Sequence, residues 1–95
     1  MRIQPDSAIR LLIVDDHFCT RMGLTSTVRL EPDMQVVGEA SCGREALDLY
    51  HQHTPDVTVL DGMLPDMHGT DVARAIVKAH TGARLMMFSV DETEE

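Results

Sequence analysis

The sequence predicts an α/β fold in which a parallel sheet is covered by helices on both faces. Two observations support this prediction. Short apolar runs, typical of strands buried on both faces, alternate along the chain with longer segments whose apolar residues have helical spacing. The resulting order is β-α-β-α-β-α-β, and strict alternation of this kind is typical of parallel sheets with crossover helices.

The first half of the chain contains two predicted strands and one predicted helix. Residues 9–14 are almost wholly apolar and branched, which predicts the first strand. Residues 18–30 predict a helix that ends at Pro32, and residues 35–40 predict the second strand. The expected buried stripe of the helix consists of Phe18, Met22, Leu24, Val28 and Leu30.

The second half repeats the alternation twice. Ser41 is the predicted N-cap of a helix that ends at residues 51–53, before Pro55. Residues 56–60 predict the third strand, and residues 61–69 form a loop. The next helix is expected to begin at Thr70 or Asp71 and to have Gly82 just beyond its C-terminus. Residues 84–88 predict the fourth strand, in which Met86 and Met87 are expected core positions.

Composition and charge exclude several classes of protein. The chain has 95 residues, which corresponds to one domain, and its formal net charge is −8. Such an acidic chain repels nucleic acids and anionic membranes. The sequence has no apolar run long enough to span a bilayer and no signal-peptide pattern at its start. We therefore expect a cytoplasmic protein that does not bind membranes.

Chemically capable residues follow three of the predicted strands. Asp15 and Asp16 come after the first, Asp61 after the third and Ser89 after the fourth. Functional crevices of parallel sheets lie beyond the carboxyl ends of the strands. If the first, third and fourth strands are neighbours, the carboxylates share one edge and repel one another. The repulsion would be relieved either by protonation of one carboxylate, which raises its pKa, or by a bound Mg²⁺ ion. A carboxylate beside Mg²⁺ can attack phosphorus to form an aspartyl phosphate, with Ser89 donating to the phosphoryl oxygens. Alternatively, Asp16 is only an N-cap and Asp61 only part of a turn.

Three segments resemble the receiver domain of two-component response regulators. Residues 11–17 (Leu-Leu-Ile-Val-Asp-Asp-His) resemble its first strand and acidic pair, and residues 61–69 (Asp-Gly-Met-Leu-Pro-Asp-Met-His-Gly) resemble its phosphoacceptor loop, including Pro65 and Gly69. Residues 21–24 (Arg-Met-Gly-Leu) resemble the LuxR-type branch of transcriptional regulators. The resemblance implies a flavodoxin-like (CheY-like) three-layer α/β/α fold with strand order 2-1-3-4.

The same resemblance implies a role for each site residue. Asp61 would accept a phosphoryl group from a sensor histidine kinase. Asp16, Asp61 and the backbone carbonyl of Met63 would bind Mg²⁺ directly, and Asp15 would bind it through water. Ser89 would move towards the phosphoryl group and act as the switch residue. The domain would catalyse no turnover on other molecules.

The resemblance also has departures. The receiver fold has a fifth strand, and this sequence ends before one, so we expect residues 1–95 to be a receiver domain that is incomplete from its fourth helix onward. The lysine that the family places after the fifth strand has no counterpart, because Lys78 is the only lysine and lies in the third helix. The fourth strand would then be an exposed edge, which predicts a homo-oligomer. DNA would be contacted only by a C-terminal domain outside this chain.

Two other functions stay open at the level of sequence. A degenerate receiver that serves only as a dimerisation or interaction module would not bind Mg²⁺. A phosphatase of the haloacid dehalogenase type would also use an aspartate after its first strand. That family has Asp-x-Asp there, however, whereas this chain has Asp15-Asp16-His17.

Overall fold

The fold is a four-stranded parallel sheet with three crossover helices. A computed structural model describes residues 8–88. The elements, in chain order, are β1 (Ile9–Val14), α1 (Phe18–Arg29), β2 (Met34–Ala40), α2 (Gly43–His53), β3 (Val57–Asp61), α3 (Gly69–Ala79) and β4 (Leu85–Phe88). The spatial order of the strands is β2-β1-β3-β4, as predicted. Within residues 8–88, no helix is both long and apolar enough to cross a membrane.

The two faces of β1 explain its continuous apolar sequence. This strand pairs with β2 on one side and with β3 on the other, so it lies in the middle of the sheet. Leu12 and Val14 belong to a buried cluster with Leu60 of β3 and with apolar residues of α2 and α3. Because side chains alternate along a strand, Leu11 and Ile13 face the opposite side of the sheet, and both are buried as well.

Helix α1 buries only part of the predicted apolar stripe. Leu24 and Val28 are half-buried, whereas Phe18, Met22 and Leu30 are exposed, and Thr25 is the buried residue of the helix. The hydroxyl of Thr25 donates to backbone carbonyls of the preceding turn, so its burial leaves no polar group unpaired. The prediction missed Thr25 because a polar residue that bonds its own helix can occupy a buried position.

Helix ends differ from the predictions by a few residues. Cys42, not Ser41, is the N-cap of α2, because its carbonyl accepts the first helical hydrogen bond, from the Ala46 N–H. Helix α3 begins at Gly69 with His68 as N-cap, and its C-cap is His80, so Gly82 does not terminate it.

The edge strand β4 is the other place where burial differs. Met86 and Met87 are exposed rather than part of the core. The reason is their position, because β4 pairs only with β3 in the sheet formed by residues 8–88. The predicted switch residue, Ser89, lies outside the described residues.

Candidate functional site

Three carboxylates meet at the carboxyl edge of the sheet. Asp15 and Asp16 follow the last residue of β1, and Asp61 is the last residue of β3, the neighbouring strand. Ligand atoms of Asp15, Asp16, His17 and Asp61 all lie within 4.8 Å of one another. The parallel pairing of Val14 with Leu60 brings the two strand ends level, which places these side chains together.

The three carboxylates differ in their exposure to solvent. The side chains of Asp15 and Asp61 are 1% and 9% exposed, whereas that of Asp16 is 32% exposed. Burial raises the pKa of Asp61 above its ordinary value. A hydrogen bond from the Met63 N–H opposes this rise, and the nearby carboxylates of Asp15 and Asp16 add to it. The native fold therefore holds Asp61 in an environment that disfavours its negative charge.

His17 lies over the carboxylates on the solvent side. Its Nδ1 atom is 3.1 Å from Asp15 Oδ1, 3.2 Å from Asp16 Oδ1 and 3.9 Å from Asp61 Oδ2. The hydrogen bond to Asp15 and the charge of Asp16 raise the pKa of the imidazole. The sequence places His17 beside the acidic pair, but only the folded chain shows that its ring approaches all three carboxylates.

Two further side chains contribute to the site, although no sequence motif indicated their contacts. One is Arg21 of α1, whose guanidinium Nη1 donates to the backbone carbonyl of Asp15 at 2.6 Å and whose Nε donates to Glu39 at 3.3 Å. Arg21 thus links the start of the acidic segment to β2. Its half-buried position on the sheet-facing side of α1 explains why it reaches the strand end.

The second residue is Asp66 in the loop that follows β3. Its carboxylate accepts the backbone N–H of Gly43 at 2.7 Å and that of Arg44 at 2.9 Å, so it caps the N-terminus of α2 from another part of the chain. These two bonds lower the pKa of Asp66 below its ordinary value. The loop is thereby fastened to α2 at a point between Asp61 and α3.

We expect Asp66→Asn to lower the melting temperature at neutral pH, because the variant loses the charge that faces two helix N–H groups. The lowered native pKa of Asp66 stabilises the fold above pH 3.8, and this contribution disappears as pH falls through that pKa. The difference between variant and wild type should therefore shrink below about pH 3.8. Thermal unfolding followed by circular dichroism measures the difference in melting temperature. The control is Asp48→Asn, which makes the same chemical change on the exposed surface of α2. Equal melting temperatures at pH 7 would contradict the expectation.

The loop itself is closed by backbone contacts around Gly62 and Gly69. The Gly69 N–H donates to the Gly62 carbonyl at 2.9 Å, and Met63 and His68 form an isolated antiparallel bridge. The Gly62 N–H donates to the Phe88 carbonyl at 2.9 Å, which ties the same segment to β4. The predicted loop residues thus form a compact turn at the end of β3, directly beside Asp61.

The comparison with protein families identifies this arrangement. The sequence model of the response regulator receiver domain matches residues 11–95. The chain belongs to this family. Receiver domains of response regulators are signalling domains that accept phosphoryl groups and interact with histidine kinases, and LuxR-family regulators carry DNA-binding domains. The resemblance inferred from the acidic pair and the loop is therefore confirmed at the level of the family.

Similar receiver domains come from several bacteria. The nitrate/nitrite response regulator NarL of Escherichia coli (strain K12) is 34% identical over 85 residues, which are 90% of this chain and 39% of NarL. A solved LuxR-family response regulator from Aurantimonas sp. SI85-9A1 is 35% identical with a TM-score of 0.84, over 90% of this chain and 61% of that one. A chain in the solved CheX–CheY–BeF3–Mg²⁺ complex from Borrelia burgdorferi is 29% identical with a TM-score of 0.81. The match covers 97% of this chain and 71% of that one.

The matched relatives are longer than this chain. The chain spans about two fifths of the length of the curated relatives it matches. The parallel sheet with strand order 2-1-3-4 and its crossover helices is the flavodoxin-like (CheY-like) architecture of these structures, so the predicted fold class is confirmed.

Proposed function

We propose that Asp61 is the phosphoacceptor of this receiver domain and that a sensor histidine kinase supplies the phosphoryl group. The observation that supports this proposal is the convergence of two other carboxylates, Asp15 and Asp16, on Asp61, whose charge the fold disfavours. Like charges held this close lower stability, and such a cost is typical of functional sites. Asp61 is also the last residue of β3, next to a closed loop and at the edge of the sheet where crevices of such folds lie.

The residues present fit a Mg²⁺ ion. Three carboxylates within 4.8 Å supply hard oxygen ligands, which are the ligands that Mg²⁺ prefers, and no sulfur atom belongs to the cluster. Asp16 and Asp61, with the backbone carbonyl of Met63, would bind the ion directly, and Asp15 would bind it through water. The structure of the Borrelia burgdorferi complex holds Mg²⁺ and BeF3 with a similar chain. The bound cation would stabilise the negative charge on the transferred phosphoryl oxygens.

In the proposed reaction, an Asp61 carboxylate oxygen attacks the phosphorus atom of a phosphohistidine. The new P–O bond forms as the P–N bond breaks, and the imidazole nitrogen keeps the electron pair of the broken bond. Asp61 must be ionised to attack, and because burial and the neighbouring carboxylates raise its pKa, a bound cation would favour that ionisation. Hydrolysis of the aspartyl phosphate would return the domain to its resting state.

The consequences of phosphorylation are also proposals. Ser89 would donate a hydrogen bond to the phosphoryl group and switch the domain, and the switch would control transcription through a DNA-binding domain outside this chain. We place this activity in the cytoplasm. The exposed apolar side chains of Met86 and Met87 on the edge strand β4 favour a homo-oligomer formed through that edge. The exposed apolar edge of β4 also supports the alternative function, a receiver that acts only as an interaction module.

Intact-mass analysis after incubation with acetyl phosphate and Mg²⁺ tests the proposal. We expect one phosphoryl adduct on the wild-type chain, no adduct without Mg²⁺ and no adduct on Asp61→Asn. The matched control is Asp48→Asn, which makes the same chemical change at an exposed position of α2 and should be labelled like wild type. Circular dichroism establishes that each variant is folded.

Each result separates the candidate functions. A folded wild-type chain without an adduct would overturn the phosphoacceptor proposal and favour the interaction module. An adduct that persists on Asp61→Asn would place the acceptor elsewhere. Repeated turnover of a model phosphate ester would instead indicate a phosphatase of the haloacid dehalogenase type.

A further inference from the structure

Two histidines from different helices meet on the surface far from the carboxylates. His51 lies in the last turn of α2, and His80 is the C-cap of α3. The Nδ1 atom of His51 is 3.5 Å from the Nε2 atom of His80, and the ring centroids are 5.2 Å apart. Crossover helices run antiparallel to the strands they connect, so these helix ends lie at the opposite edge of the sheet from Asp61.

The distance between the two nitrogens matches the geometry of a shared metal ion. Zinc binds imidazole nitrogens at about 2.0–2.1 Å with tetrahedral angles, which places two such ligands about 3.3 Å apart. The separation of 3.5 Å is close to that value. His51 is exposed, so its ring has room to turn towards an ion shared with His80, and water can reach the remaining coordination positions.

The surroundings hold His80 in place and favour a cation. The ring of buried Tyr50 packs against the ring of His80 with a centroid distance of 4.9 Å. The backbone of His80 is fixed as well, since its N–H donates to Ile76 and its carbonyl accepts from Ala83. Both histidines lie at helix C-termini, where the unpaired carbonyls and the helix dipole attract positive charge.

We propose that His51 Nδ1 and His80 Nε2 form a second metal site, which binds a borderline divalent transition-metal ion such as Zn²⁺ and links the C-terminal ends of α2 and α3. Imidazole ligands suit Zn²⁺, Cu²⁺ and Ni²⁺, whereas Mg²⁺ prefers the oxygen ligands of the carboxylate cluster. The two sites therefore differ in chemistry as well as in place. The competing interpretation is a simple hydrogen bond between two neutral imidazoles.

Histidine side-chain NMR on the whole chain tests the proposal directly. Zn²⁺ is titrated at pH 7.5 in the presence of excess Mg²⁺, which is expected to compete for the carboxylate cluster. We expect the ring nitrogen signals of His51 and His80 to shift together along one saturation curve, while the His53 signals do not follow it. Binding to the native state should also raise the melting temperature as the Zn²⁺ concentration rises.

Single substitutions supply the matched controls. His51→Gln and His80→Gln should each weaken Zn²⁺ binding by about tenfold or more, because one of two protein ligands is lost. His53→Gln removes a histidine two residues from His51 and should leave the affinity unchanged. Independent shifts of the two rings, no shift with millimolar Zn²⁺, or an equal loss of affinity in His53→Gln would overturn the site and leave the hydrogen-bonded pair. The phosphoacceptor proposal is unaffected by any of these results.

Discussion

Replacing Gly69 with alanine is expected to lower the free energy of unfolding by about 3 kcal/mol, because the new methyl group has no space. A Cβ atom at this position would overlap the backbone carbonyl oxygen of Asp61 and lie 2.8 Å from Gly62 Cα. These neighbours are backbone atoms in a strand end and a closed loop, so they cannot rotate away as a flexible side chain can. The clash also displaces Asp61, and phosphorylation should be lost with stability.

Urea denaturation of Gly69→Ala and wild type measures the loss. The control is Gly23→Ala, because Gly23 lies within α1 and a Cβ there has no neighbour within 4 Å. That substitution should instead stabilise the protein by about 0.5–1 kcal/mol, since alanine is the better helix former. A Gly69→Ala variant as stable as wild type would contradict the expectation, because the loop would then accommodate the methyl group without a loss in the free energy of unfolding.

Asp61→Asn is expected to raise the free energy of unfolding without metal at neutral pH. The carboxylate of Asp61 is buried beside Asp15 and Asp16, and the neutral amide removes the unfavourable charge while keeping its shape. Mg²⁺ should affect the two proteins differently. It should stabilise wild type through the carboxylates and have little effect on the variant.

The pH dependence of stability follows from the raised pKa of Asp61. Below pH 3.8 the carboxyl is protonated in both the native and the unfolded state, so it adds no cost. As pH rises through the native pKa, the native state must ionise Asp61 against burial and like charges, and stability falls relative to Asp61→Asn. The advantage of the variant should therefore grow from about pH 4 upward and then become constant.

Urea denaturation at several pH values, with and without Mg²⁺, tests this pattern. Asp48→Asn makes the same chemical change on exposed surface and should follow wild type. His17 contributes with its own sign, because its raised pKa stabilises the fold below pH 6.5 and this stabilisation is lost as pH rises through that pKa. Asp61→Asn also removes one of the charges that raise the pKa of His17, so the difference between the two proteins combines the loss of the buried Asp61 charge with a smaller change at His17. An Asp61→Asn variant that is less stable at pH 7 would contradict the expectation.

The sequence by itself determined the elements and the composition of the site's acidic rim. Apolar runs such as residues 11–14 predict buried strands because few other arrangements cover both faces of a segment. Once the strands are parallel, the residues that follow them share one edge, so Asp15, Asp16 and Asp61 could be brought together without coordinates. The strands follow from periodicity, which is a property of local sequence, whereas the adjacency of the first and third strands is what the resemblance to receiver domains implied.

Only the tertiary structure decided which side chains touch across elements. Asp66 caps α2 from a distant loop, Arg21 reaches the carbonyl of Asp15, and His51 meets His80 from another helix. The burial of Thr25 in place of Phe18 has the same origin. Contacts of this kind depend on helix rotation and loop closure, which are set by the sum of many weak packing interactions. No local pattern encodes that sum. The acidic rim was therefore predictable from the sequence, while the residues that hold its strand end and loop in place were not.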